Sequence, residues 1–119
     1  MQTSNFARTV KPQEVDPHNL VAICLYPPAW FKGRTYPALA PTKAMLKMED
    51  GQYRQAFQEI LGRLDPQKVY EDLGPEAIPL CWEPPGKFCH RRLVAEWLEK
   101  HLGVTIPEMG ENERQGKLF

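Results

Sequence analysis

The segment Ala77-Ile78-Pro79-Leu80-Cys81-Trp82, followed by Glu83, the turn residues Pro84-Pro85-Gly86 and a periodic stretch from about Phe88 to Leu102, constrains the fold more than any other part of the chain. The first piece is a short apolar run of strand character, and the second has the spacing of an amphipathic helix. At about 100° per residue, Leu93, Val94, Trp97, Leu98 and Leu102 share one inward face, and Gly103 supplies the stop. A strand that hands over to a helix through a tight turn is the repeating step of layered α/β structure. Pro79 lacks a ladder donor, which predicts an edge or irregular position for its strand.

The rest of the chain repeats that alternation. Leu20 to Tyr26 is an apolar run between Asn19 and Pro27-Pro28 and reads as a buried strand. A long loop from Pro27 to Pro41 carries Trp30-Phe31-Lys32-Gly33-Arg34. A short helix is expected over Thr42 to Met48, and a firmer one over Gln52 to Leu64, where Tyr53, Phe57, Ile60, Leu61 and Leu64 form a stripe. Asp65-Pro66 supplies an N-cap and a first-turn proline for another helix ending near Leu73-Gly74, and Val104 to Ile106 reads as a last short strand. The pattern predicts a small layered α/β domain with a short, mainly parallel sheet flanked by helices, covering residues 1–108, and a polar tail over 109–119.

Composition narrows the function classes. A chain of 119 residues fits one hydrophobic core. Its 15 basic and 15 acidic residues balance, so no net positive field points to a polyanion, although a local basic pocket and a nucleic-acid partner stay open. Met1 to Val10 lacks the apolar centre of a signal peptide, and no run reaches the roughly 20 apolar residues of a membrane span. The default expectation is a cytoplasmic protein with no membrane partner. Three cysteines cannot all pair within one chain, which favours reduced thiols.

In an open α/β sheet, functional groups gather where loops leave the carboxyl ends of strands. Cys24 to Trp30 and Cys81 to His90 both fall there. The start of the last helix adds unsatisfied N–H groups and a positive dipole end, which receive an anion or stabilise a thiolate. Projected back along the helix, His90 falls in the apolar arc, Arg91 at its edge, and Arg92 on the solvent side within reach of Glu96.

The residues Thr3-Ser4-Asn5-Phe6-Ala7, Trp30-Phe31-Lys32-Gly33, Leu39-Ala40-Pro41 and above all Leu80-Cys81-Trp82-Glu83 with Phe88-Cys89-His90-Arg91 resemble the bacterial and phage domain-of-unknown-function family 488, particularly its shorter branch. The resemblance spans most of the chain, and the last motif is the specific one. It implies an α/β domain with a Cys-x-Glu strand end and a Cys-His-Arg helix start, and it implies no settled activity. In one place the chain departs from the family: relatives often carry serine followed by a basic residue where Cys24-Leu25 stands here. A role that needs that polar pair is not carried over.

Three chemistries compete for these residues. In the first, Cys81 or Cys89 is a reactive thiolate with His90 as base or charge partner, Glu83 as orienter or acid and Arg91 as anion clamp. In the second, Cys81, Cys89 and His90 bind zinc with Cys24 as a possible fourth ligand, although Cys-x7-Cys-His lacks the tight spacing of zinc ribbons. The third, which we prefer, has Arg91 and the helix start hold a small anionic or nucleotide-like ligand while Trp30, Phe31 or Trp82 stacks on its ring, with Lys32 and Arg34 in reach and Thr3 and Ser4 lining the pocket. Processing of that ligand by Cys81, Glu83, Cys89 and His90 is then open. Non-catalytic binding or inhibition of a host factor or signal is the alternative. Each residue also has a structural reading: Cys24 as core, His90 satisfying a backbone carbonyl, Trp30 and Phe31 plugging the sheet edge. The sequence specifies no cofactor and no protein partner.

Overall fold

A computed structural model describes residues 1–9, 16–83 and 88–109. The Pro84-Pro85-Gly86 turn, Lys87 and the tail from residue 110 lie outside the described residues. Four strands, β1 (Ser4–Asn5), β2 (Leu20–Ala22), β3 (Arg34–Thr35) and β4 (Ile78–Cys81), form one parallel sheet in the order β1-β4-β2-β3. Three helices, α1 (Asp50–Gly62), α2 (Pro66–Leu73) and α3 (His90–Leu102), follow β3 and β4, so the expected layered α/β domain with a short parallel sheet is observed. The Asp65 side chain accepts from the Gln67 N–H at the start of α2, and Gly103 ends α3 at a positive φ of 70°.

The sheet divides two clusters. On one face Val21 and Ile23 pack with Phe57 and Leu61 of α1, Val69 and Leu73 of α2, and Leu93, Val94 and Leu98 of α3. On the other, Leu20, Ala22, Ile78 and Leu80 pack with Phe6 and the half-buried Phe31 and Met109. These strands are buried on both sides, which is why they read as continuous apolar runs rather than alternating ones.

Pro79 does not lie at an edge: β4 sits between β1 and β2, with Pro79 in register with Val21. Successive residues of a parallel strand turn their backbone groups to opposite neighbours. Ile23 N–H donates to the Leu80 carbonyl at 3.1 Å, so Pro79 faces β1, where strand pairing starts only at Ser4. The missing donor therefore falls on the β1 side ahead of the paired residues, beside Gln2, whose N–H donates to the Ala77 carbonyl at 3.3 Å. The strand expected over Val104 to Ile106 is also absent. That segment runs back along α3, with Ile106 N–H donating to the Glu99 carboxylate, and it reaches the sheet as a single parallel bridge between Thr3 and Glu108.

Two arginines hold loops in place. Arg34 donates to the carbonyls of His18, Asp72 and Leu73, pinning β3 to the carboxyl end of α2, where the helix dipole favours a cation. Arg92 is not turned to solvent as the helix projection predicts. Its Nη1 donates to Thr3 Oγ1 at 2.8 Å and to the Ile106 carbonyl at 2.9 Å, because the segment after Gly103 folds over that side of α3. Gly33 permits the close packing beside β2, since a Cβ there would lie 2.5 Å from the Leu20 carbonyl oxygen.

The Arg91–Glu108 pair closes the structure. Arg91 is 0% exposed and Glu108 6%, and the two meet at 2.6 Å. Burial alone would raise the Glu108 pKa, but hydrogen bonds from Arg91 and Thr3, with the charges of Arg91 and Arg92, hold it below the ordinary carboxylate value. Its stabilising contribution is thus complete above the unfolded pKa of about 4.3 and lost as pH falls through the lower folded value. Glu108→Gln, which strands a buried guanidinium, is expected to lower stability at neutral pH by about 3–5 kcal/mol. Urea unfolding should show the gap to the unmodified protein narrowing as the pH drops below 4.3 or so; a gap constant with pH would contradict this assignment.

Candidate functional site

A cavity of about 270 Å³ opens beyond the carboxyl ends of the adjacent strands β2 and β4. This is where an open parallel sheet places its ligands. Cys24, Leu25 and Tyr26 line it from the end of β2, Cys81, Trp82 and Glu83 from the end of β4, and Phe88, Cys89 and His90 from the start of α3. Met45, Leu46 and Met48, with Asp50 and Tyr53 of α1, form the facing wall. The Trp82 indole N–H donates to the Tyr26 carbonyl at 2.9 Å and links the two strand-end loops across the rim.

The floor is built from three residues. Cys81 ends β4, while Cys89 is the N-cap of α3 with extended backbone, φ −153° and ψ 143°. The helix wheel therefore does not apply to Cys89. Its sulfur lies 3.8 Å from Nδ1 of His90 instead of diverging from it. The sulfurs of Cys81 and Cys89 meet on the cavity floor, but their Cα atoms stand 7.3 Å apart, beyond the roughly 4.4–6.8 Å that a disulfide spans, so the two are read as neighbouring thiols; Cys24 lies apart from them. Spacing along the sequence does not reveal this meeting, because residues 84–87 intervene and only the return of α3 over the end of β4 brings the sulfurs together.

His90 is neutral at physiological pH. Burial lowers its pKa to about 4, and the charge of Arg91 adds to this against the opposing hydrogen bond with Ile23. Nε2 lies 2.6 Å from the Ile23 carbonyl oxygen, which can only accept, so Nε2 carries the proton and Nδ1 presents its lone pair towards Cys89. The ring packs edge-on against Phe57, with centroids 5.3 Å apart. The structural reading of His90 as a satisfied buried ring thus holds together with its place on the cavity floor.

The other candidates separate. Arg91 is no open anion clamp. Nε donates to both Glu108 oxygens, Nη2 to Glu108 Oε2, and Nη1 to Cys81 Sγ at 3.1 Å and the Glu83 carbonyl at 2.8 Å, so the guanidinium is consumed inside the protein. Thr3 donates to Glu108 and is buried on that network, while Ser4 Oγ is buried with no hydrogen-bond partner among the described residues; neither lines the cavity. Trp30 and Phe31 pack edge-on against Phe6, and Lys32 is exposed away from the lining residues. Of the aromatic candidates Trp82 alone reaches the cavity, joined there by Tyr53 and Phe88, which the sequence offers only as helix-stripe and helix-start residues.

Glu83 contributes negative charge: together with burial, the larger effect, it raises the pKa of Tyr53 and of Cys24. Both stay protonated at neutral pH. The chain matches no family model, curated protein or solved structure, so the family resemblance rests on its motifs alone. Alkylation of the denatured protein without reductant is expected to modify all three cysteines. Intact mass measurement checks this, and a single label would show Cys81 and Cys89 to be bonded to each other.

Proposed function

We propose that the protein binds a nucleic-acid base, or a ring of similar size and polarity, in the cavity at the ends of β2 and β4, and processes it there. The observation that carries this reading is the lining itself: aromatic rings from Tyr53, Trp82 and Phe88, carboxylates from Asp50 and Glu83, and no lysine or arginine among the described residues that line it. A planar heterocycle stacks on the rings, and its ring or amino N–H groups donate to the carboxylates. A phosphate gains no such partner from these residues. The volume, just below the roughly 300–1,000 Å³ of sites for drug-sized ligands, suits one or two fused rings better than a whole nucleotide. The reading is thus narrower than a nucleotide-like anion held by Arg91.

Processing rests on the groups around the floor. Glu83 is the proton carrier in this reading, and Cys81, Cys89 and His90 supply the reactive or ligating atoms. Ligand-observed NMR with the free bases and with their nucleoside monophosphates tests the assignment. The bases are expected to bind more tightly than the monophosphates. Trp82→Ala should lose about 1–3 kcal/mol of affinity if stacking is as assigned, and Glu83→Gln should weaken bases that present N–H groups. Tighter binding of the monophosphates would overturn the proposal. Mass spectrometry of ligand recovered after incubation separates the two forms of the reading: altered ligand establishes processing, and intact ligand a binding protein.

A further inference from the structure

Three soft donor atoms converge on the cavity floor. The sulfurs of Cys81 and Cys89 and a ring nitrogen of His90 all lie within 4.8 Å of one another, and all three residues line the cavity. Each is prepared for a cation by a neighbour. His90 Nε2 donates to the Ile23 carbonyl, the arrangement that orients metal-bound imidazoles and leaves the other nitrogen free to ligate. Arg91 Nη1 donates to Cys81 Sγ, which favours the thiolate. Cys89 caps the 13-residue helix α3, whose dipole favours a thiolate at that end. The Cα atoms of the two cysteines stand 7.3 Å apart, beyond the roughly 4.4–6.8 Å usual for a disulfide, as suits sulfurs directed at a common ion.

We propose that in the reduced protein Cys81, Cys89 and His90 Nδ1 hold a zinc ion whose fourth coordination position opens into the cavity. Two thiolates and an imidazole are a set that zinc accepts, and three protein ligands with an open position mark zinc sites that do chemistry. Cys24 and Glu83 line the same cavity but are not among the converging donors, so neither closes the fourth position. Zinc replaces the two thiol protons, which are released to solvent.

The site shares its cavity with the proposed base but does not depend on it. Protein without a histidine tag, reduced with a phosphine, is titrated with zinc against a chromophoric chelator with no base present; binding of bases is measured separately after zinc removal. One equivalent of zinc is expected, and cobalt in its place should give the thiolate charge-transfer absorption and visible bands of a tetrahedral site. Cys24→Ser should leave uptake unchanged, whereas Cys89→Ser and His90→Ala should each weaken it at least about tenfold, in line with metal-site substitutions generally. Because those variants can disturb folding, the cobalt spectrum of the unaltered reduced protein is a separate check. A folded, reduced protein that takes up no zinc, a cobalt spectrum without a thiolate band, or full affinity in Cys89→Ser would each overturn the proposal.

Discussion

The buried guanidinium of Arg91 is the contact on which the other parts of this small protein converge. One side chain joins the first turn of α3 to the end of β4 through Cys81 and Glu83, and to the C-terminal segment through Glu108. Burying a charge costs several kcal/mol, and the cost is offset only when every donor is matched. Here the planar fork is matched on both edges, by a carboxylate on one side and by a sulfur with a carbonyl on the other. A lysine could not span those directions with one ammonium. Thr3 and Arg92 extend the network to β1 and to Ile106, so the first and last described segments are tied through it.

The sheet order turns this clamp into a site. Because β4 inserts between β1 and β2, the ends of two strands far apart in sequence become neighbours, and the Ile23 carbonyl comes to the edge of the His90 ring. The extended backbone at Cys89 then directs its sulfur towards Cys81 before the helix begins. The facing wall comes from elsewhere: the Met45 to Met48 turn and the start of α1 carry no unusual motif, yet Met45, Leu46, Met48, Asp50 and Tyr53 all line the cavity. Tyr53 belongs both to the core stripe of α1 and to the cavity, packing edge-on against Phe88 at 5.5 Å.

Much of this was legible in the chain, for physical reasons that also mark where legibility ended. The helices over 50–62 and 90–102 are long enough for their apolar stripes to show, and Asp65-Pro66 with Gly74 and Gly103 bounded their neighbours. The two-residue strands Ser4–Asn5 and Arg34–Thr35 are too short for any period to register. Pro79 misled because the edge rule concerns a lost ladder bond, and here that bond falls on the β1 side, ahead of the two residues of β1 that pair with β4. Glu83, Cys81, Cys89 and His90 were recognisable from residue type at a strand-to-helix junction. The burial of Arg91 was not, since its partner Glu108 lies 17 residues on, in a polar segment that carries no periodic signal.

The shortness of the outer strands has a consequence beyond the site. A sheet edge is a template on which another chain can add a strand. Here β1 offers two residues, flanked by the parallel bridge of Thr3 to Glu108, and β3 offers two more, with Arg34 drawn onto the end of α2. The long apolar strand content is confined to β2 and β4, each covered on both sides by a neighbour. The protein thus concentrates its most aggregation-prone sequence in the two positions that a second molecule cannot reach without unfolding it.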